Sequence, residues 1–290
     1  MNSTQTKTTR ELAAIIPAVA VSDGAGVKLR RSLGAGQNQR HDPFLMLDEF
    51  FSDNPDDYIA GFPSHPHRGF ETITYMLDGR MRHEDSRGNR GDLGPGDVQW
   101  MTAARGIIHS EMPQQSSGTM RGFQLWLNLT AAEKMKPATY RDISAGEIPS
   151  VEMAGAGTVR VIAGELTYAC GQTRGPIAGV TTQPVYLDIH LEPDAPFEAP
   201  LPASHNVFLY VYEGAAAVGA AGRTLPFRSA GILGDGKIVR LKAAKSGTRL
   251  LLLAGLPLRE PVVQYGPFVM NTREQIEQAV ADYQRGEFAR

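Results

Sequence analysis

Two short segments carry side chains able to hold a metal. His65-Pro66-His67 is a His-x-His pair, and His109-Ser110-Glu111 sets a third histidine and a carboxylate at the same spacing. In an extended chain residues two apart point to one side, so each pair turns both of its groups to a common face. Laid side by side in a barrel, the two segments would supply three imidazoles and one carboxylate to one centre. That set suits a borderline divalent ion, and four ligands on an octahedral ion leave two positions open for substrate or dioxygen. Iron(II) is the redox-competent candidate. Nickel, copper and manganese fit the same ligands, and zinc would bind without activating oxygen. One His-x-His alone is common and reads equally well as a surface pair; two same-face pairs bracketing a meander of strands carry the metal reading.

The elements that must position these residues are strands. Phe70-Glu71-Thr72-Ile73-Thr74-Tyr75-Met76-Leu77, Asp97-Val98-Gln99-Trp100-Met101 and Gly122-Phe123-Gln124-Leu125-Trp126-Leu127-Asn128-Leu129 hold β-branched and aromatic residues between turn clusters such as Asp78-Gly79, Arg87-Gly88-Asn89 and Gly94-Pro95-Gly96. The 31 glycines and 19 prolines among 290 residues fit a chain with many turns. Helical signals are few. Thr130 and Glu133 make a capping pattern that Pro137 cuts short, and Thr272 with Gln275 opens a C-terminal helix whose face is Ile276, Ala279, Val280 and Tyr283 and whose stop is Gly286. The fold class expected is all-β.

Charge nearly cancels, with 29 Lys+Arg against 31 Asp+Glu and a net −2, which argues against direct nucleic-acid binding and against a membrane surface as partner. The single cysteine, Cys170, excludes an intrachain disulfide and any cysteine-based zinc site, and makes the reducing cytoplasm the expected location. No apolar run reaches the ~20 residues of a membrane span. Leu12 to Val21, interrupted by Pro17, reads as a first strand rather than a signal core, and the Ser/Thr-rich first ten residues read as a loose tail.

An internal echo divides the chain. Tyr75-Met76-Leu77-Asp78-Gly79 recurs 135 residues later as Tyr210-Val211-Tyr212-Glu213-Gly214. Two related β domains follow, expected at 1–140 and 141–290 with the C-terminal helix in the second. The same offset carries His65 and His67 onto Pro200 and Pro202, and no histidine follows His205. The metal site is therefore expected in the first domain alone, with apolar inward positions in the second.

Phe62-Pro63-Ser64-His65-Pro66-His67-Arg68-Gly69-Phe70-Glu71-Thr72 resembles the signature of pirins, a branch of the cupin superfamily. So do Gly96-Asp97-Val98-Gln99-Trp100-Met101-Thr102, Gly106-Ile107-Ile108-His109-Ser110-Glu111-Met112-Pro113 and Gly266-Pro267-Phe268-Val269-Met270-Asn271-Thr272, and the likeness spans most of the chain. It implies two tandem cupin-type barrels (double-stranded β-helix, or jelly-roll) in a monomer, with one metal, usually iron, held by His65, His67, His109 and Glu111. Cupins often ligate through the glutamate after His-x-His, here Glu71; the pirin pattern moves that role to Glu111 and leaves Glu71 in the strand or behind the ligands. It also implies a quercetinase, which opens the ring of a flavonol with O2 and releases carbon monoxide, with Glu111 as the candidate base. The alternative it implies is a non-catalytic iron-binding regulator acting on a protein partner, either as a transcriptional co-regulator or by binding a metabolic enzyme. The run Lys28-Leu29-Arg30-Arg31 lies in the corresponding basic region but is a modest patch.

Arg68, Glu71 and Gln124 are candidates for orienting ligands or substrate. Met46, Phe62, Met101 and Trp126 are candidates for an apolar mouth suited to an aromatic substrate. His83, beside a polar turn, reads as a hairpin residue.

Overall fold

The structure is a computed structural model and describes residues 8–36 and 39–289. It consists almost wholly of β-strands, with one α-helix among the described residues, Arg273–Gln284. The chain forms two compact units, one of residues up to 18 with 146–257, the other of 19–145 with 258–290.

The unit that carries the histidine pairs is built from two main sheets and a two-stranded one of Val263–Tyr265 and Phe268–Met270. The larger runs through Thr139–Ile143, Val98–Thr102, Phe70–Asp78, Met120–Asn128, Phe44–Ser52, Val27–Leu33 and Val19–Asp23, each antiparallel to the next. The smaller runs through Phe62–His67, Ile107–Pro113, Met81–Asp85 and Arg90–Leu93. Val27, Leu29, Phe50, Met76, Met81 and Met120 form an apolar core here, the alternate residues of their strands turned inward. The expected turns are present, and at Gly79, Gly88 and Gly96 φ is +87°, +83° and +86°, which glycine adopts without strain.

The other unit folds around a single nine-stranded sheet whose longest members, Asn206–Val218 and Ile238–Gly255, pair along much of their length. Its core is aliphatic, with Val159, Val161, Leu187, Ile189, Leu209, Leu250 and Leu252 fully buried. Pro200 closes the Pro196–Pro200 strand where the repeat would place a histidine.

The domain limits expected from the sequence need correction at both ends. Leu12–Pro17 is a strand, but it pairs with Ser229–Leu233 of the other unit's sheet and buries Leu12 in that core. The C-terminal helix belongs with the histidine-bearing unit: Ile276 and Ala279 pack with Phe268, Met270 and Phe288, and Arg68 pairs with Asp282 at 2.7 Å. Partner choice for a terminal segment is set by the apolar groove it fills and not by its place along the sequence. The helix itself begins and ends where the sequence says, with both arms of the Thr272–Gln275 capping box formed and Gly286 at φ +69°. Thr130 to Lys136 makes only a turn, its Thr130 hydroxyl bonded to Glu133 at 3.0 Å. Residues 1–7 of the expected tail lie outside the described residues, while Arg10 is 1% exposed and donates to the carbonyls of Gly234 and Pro202.

Candidate metal centre

His65 and His67 lie on Phe62–His67, His109 and Glu111 on Ile107–Pro113. The strands pair antiparallel with His109 opposite His65 and Ile107 opposite His67, and the register slips before Glu111, which faces Phe62. Pro63 has no N–H with which to continue the ladder there, so a bulge at this point follows from the sequence.

This register brings the three imidazoles together, with one ring nitrogen of each lying within 4.8 Å of the other two. His65 donates from Nδ1 to the Pro63 carbonyl at 2.8 Å, which leaves its Nε2 unprotonated and 2.9 Å from Nε2 of His67. Two ring nitrogens approach so closely only when a proton or a cation lies between them. Nitrogens about 2.1 Å from one ion and at right angles would stand about 3.0 Å apart. His67 and His109 are each 3% exposed, and among the described residues neither Nδ1 of His67 nor either ring nitrogen of His109 has a hydrogen-bond partner. Burial pushes the pKa of all three down, well below the usual range for His67 and His109, so the rings are neutral, the form that ligates. These donors fit a divalent cation.

Glu111 does not join that cluster. Its carboxylate is buried on the same side, with Oε1 3.2 Å from the Thr74 hydroxyl and 3.5 Å from Nδ1 of His83. Burial pushes its pKa up to about 7, and the Thr74 bond opposes the rise. The Thr74 hydroxyl also lies 2.6 Å from Oε1 of Gln124. One hydroxyl hydrogen cannot serve two acceptors. Turning the Gln124 amide over resolves the conflict: Gln124 then donates to Thr74, and Thr74 donates to Glu111.

The structure separates the three supporting candidates. Gln124 reaches the site through Thr74 as described. Glu71 lies one residue out of phase with Thr74 on the same strand, on the opposite face, and accepts from the Thr102 hydroxyl at 2.6 Å. Arg68 is buried against the C-terminal segment, bonded to the Arg105 carbonyl and to Asp282 and stacked on Phe288. His83 is a hairpin residue as expected, opposite Gly91 in the pairing of Met81–Asp85 with Arg90–Leu93, and it is also a buried neighbour of the site: it is 4% exposed, sits directly across the strand pair from Glu111, and burial holds its pKa down at about 3. The signal for it was the alternation of Met81 and His83 on one strand face. Thr74 offered a weaker signal, an inward polar residue in an apolar strand.

His65, His67 and Glu111 open onto a cavity of about 570 Å³ whose walls include Met46, Phe62 and Trp126. Met101, the fourth apolar candidate, packs instead with Ala103, Ile107 and Ala138. The basic run is neutralised in part: Lys28 pairs with Asp57 at 2.5 Å, and Arg31 turns into the cavity to meet Asp48 and Asp23. No helix among the described residues is long and apolar enough to cross a membrane.

Known proteins resemble this chain along nearly its whole length. Residues 26–127 match the family described as Pirin and residues 186–289 the one described as Pirin C-terminal cupin domain. A Pseudomonas aeruginosa protein, provisionally named a quercetin 2,3-dioxygenase, is 55% identical over 269 residues, covering 92% of this chain and 94% of the relative. The crystal structure of a quercetin 2,3-dioxygenase from Acinetobacter baumannii superposes with a TM-score of 0.86 at 33% identity, covering 97% of this chain and 99% of that one. A bacterial pirin of Escherichia coli, solved with nickel(II), shares the fold at a TM-score of 0.63 and 18% identity, covering 84% of this chain and 98% of that one. Two cupin domains, one of them with three converging histidines, and matches at this level place the chain in the pirin family.

Proposed function

We propose that this protein is a metal-dependent dioxygenase that opens the ring of quercetin-type flavonols with O2. His65, His67 and His109 would hold the ion, most simply Fe(II), with Glu111 as a fourth ligand or as the base beside it. Bound there, a redox-capable ion would supply one-electron exchange with dioxygen and a positive charge facing the substrate's oxygens. The chain's own contribution is to present three neutral imidazoles, to exclude water with the apolar walls of Met46, Phe62 and Trp126, and to receive a proton. Glu111 suits that last task. It is buried beside the histidines and its pKa is lifted to about 7, which makes it a stronger base than an exposed carboxylate. It would take the proton of the flavonol 3-hydroxyl, with Thr74 holding its Oε1 in place.

The observation that carries this reading is the convergence of bare, buried imidazole nitrogens at the wall of a largely apolar cavity large enough for a three-ring ligand. The test is oxygen uptake by iron-loaded protein with quercetin, comparing wild type with Glu111→Gln and His109→Ala. Uptake lost in both variants, with metal lost only in His109→Ala, is expected. No uptake with any flavonol by fully loaded wild type would refute the enzyme reading and leave a metal-binding regulator. Full metal occupancy in His109→Ala would reject the ligand assignment.

A further inference from the structure

Across the large sheet of the histidine-bearing unit, directly opposed residues form a polar row inside an otherwise apolar interior. Arg31 faces Asp48, Asp48 faces Gln124, and Gln124 faces Thr74, whose hydroxyl reaches Glu111. All five side chains line the cavity, as does Asp23. The row covers three interstrand steps, about 14 Å measured along the sheet at ~4.8 Å per step. One end lies at the histidines, and the other is a charged cluster whose Asp23 still acts electrostatically on His65 and Glu111.

That cluster is built to bind something. Arg31 spends Nε and one amino group on both oxygens of Asp48, at 2.8 and 2.7 Å, and the same amino group reaches Asp23 at 2.8 Å. Its other amino group makes no hydrogen bond among the described residues and retains two donors. Asp48 is 2% exposed, so a charged pair stands in a wall otherwise formed by residues such as Leu29, Met46 and Phe50. An apolar pair of equal volume would hold these strands at least as well. One guanidinium and two carboxylates leave a net −1, and the row's other ionisable member, Glu111, adds no positive charge. The cluster thus accepts hydroxyl hydrogens on its carboxylates and donates from the free amino group, while repelling an anionic substituent.

We propose that the Asp23–Arg31–Asp48 cluster recognises a pair of adjacent hydroxyls on the aryl ring of a neutral polyphenol whose other end lies at the histidines. This rests on the flavonol reading and narrows it to catechol-bearing substrates, with phenolic acids excluded.

The experiment is calorimetric titration, without oxygen, of zinc-loaded protein, since zinc occupies the ligands without redox chemistry. The probes are three flavonols with two adjacent, one or no hydroxyls on the pendant ring, and a fourth with a carboxylate there. Wild type is expected to bind the dihydroxy compound roughly 10-fold or more tightly than the unsubstituted one, as for hydrogen bonds to charged groups, and the carboxylate compound most weakly. Asp23→Asn, at a half-exposed position that keeps a side-chain acceptor for the Gly24 amide, and Arg31→Met should each reduce the preference to under about threefold. Asp23→Asn should also improve binding of the carboxylate compound. Equal affinities for the three neutral flavonols in wild type, or an undiminished preference in Asp23→Asn, would overturn this proposal and leave the flavonol reading standing. Failure of every flavonol to bind would overturn both.

Discussion

Lys134 offers a quantitative test of how the turn after the histidine pair is held. The side chain is 1% exposed, and its three ammonium hydrogens meet three acceptors: the Gly69 carbonyl at 2.6 Å, Asn128 Oδ1 at 2.6 Å and the Val269 carbonyl at 3.0 Å. It therefore ties the turn that follows His67 to the Phe268–Met270 strand. Burial pushes its pKa from 10.5 down to about 8, with Glu260 opposing. In Lys134→Met, three buried acceptors lose their donor, at about 1–3 kcal/mol each, about 6 kcal/mol in all. Removing the ammonium relieves its desolvation, about 3 kcal/mol from a depression of about 2.5 pKa units at 1.36 kcal/mol per unit. The lost bonds win, and a net loss of about 3 kcal/mol is expected at pH 7. The pH dependence has a definite sign. Above about pH 8 the folded lysine releases a proton that the unfolded chain keeps until about 10.5, so the unfolded state binds more protons and wild-type stability rises across that window. Below pH 8 both states are protonated and the lysine adds no slope. The methionine variant lacks the rise, so the gap between the two proteins should widen by about 3 kcal/mol from pH 7.5 to 10.5. Both tryptophans, Trp100 and Trp126, lie in the unit that contains Lys134, so urea melts followed by tryptophan fluorescence report that unit by itself. A gap that stays constant or narrows with pH would refute the reasoning, because it would mean that the three acceptors keep the ammonium charged throughout.

Other expectations follow from single contacts. Gly69→Ala places a Cβ on the Val269 carbonyl at a residue whose φ is +92°; a loss of about 3 kcal/mol or more is expected in the same urea assay, and a loss under about 1 kcal/mol would mean that the neighbouring strand yields. Thr74→Val removes the hydroxyl that holds Glu111 and should lower kcat for flavonol oxidation about 10-fold at unchanged metal content; unchanged kcat would show that Glu111 needs no such support. Asp282→Asn leaves the nearly buried Arg68 without its counter-charge, and deuterium uptake across Arg273–Gln284 should rise; unaltered protection would place the helix's anchorage in its apolar face alone.

What could be read from the sequence was what is local along a strand. The spacing of His65, His67 and His109 fixes their faces, and the capping box of the last helix is likewise complete within a few residues. What could not be read depends on which strand lies opposite. Glu111 shares a face with His109, but that it stands beside Thr74 and His83 rather than within the histidine cluster depends on the strands packed around it. His83 looked polar because its sequence neighbours are polar, yet its burial is set by Glu111 across the ladder. The terminal segments follow the same rule: Leu12 and Ile276 are apolar enough for either core, and sequence adjacency does not decide between them.

The two units are a controlled comparison of what this barrel needs in order to fold. The one without the histidine cluster has a hydrophobic core of valine, leucine, isoleucine and alanine with Phe197, and has proline at the end of the strand where the other has His65 and His67. Buried polar side chains of that unit, such as Arg10 and Asp188, lie outside this aliphatic cluster. The other sets arginine, aspartate, glutamine and threonine in register across four neighbouring strands, each of which costs free energy unless it is paired. Pairing accounts for part of the row: Arg31 with Asp48, Thr74 with Gln124 and Glu111. It leaves over the free amino group of Arg31, the remaining hydrogen-bonding capacity of Gln124 and the bare nitrogens of the histidines, and Arg31, Gln124, His65 and His67 all line one cavity. Polar groups kept unspent around a single cavity, where the other unit packs an apolar cluster, point to a ligand.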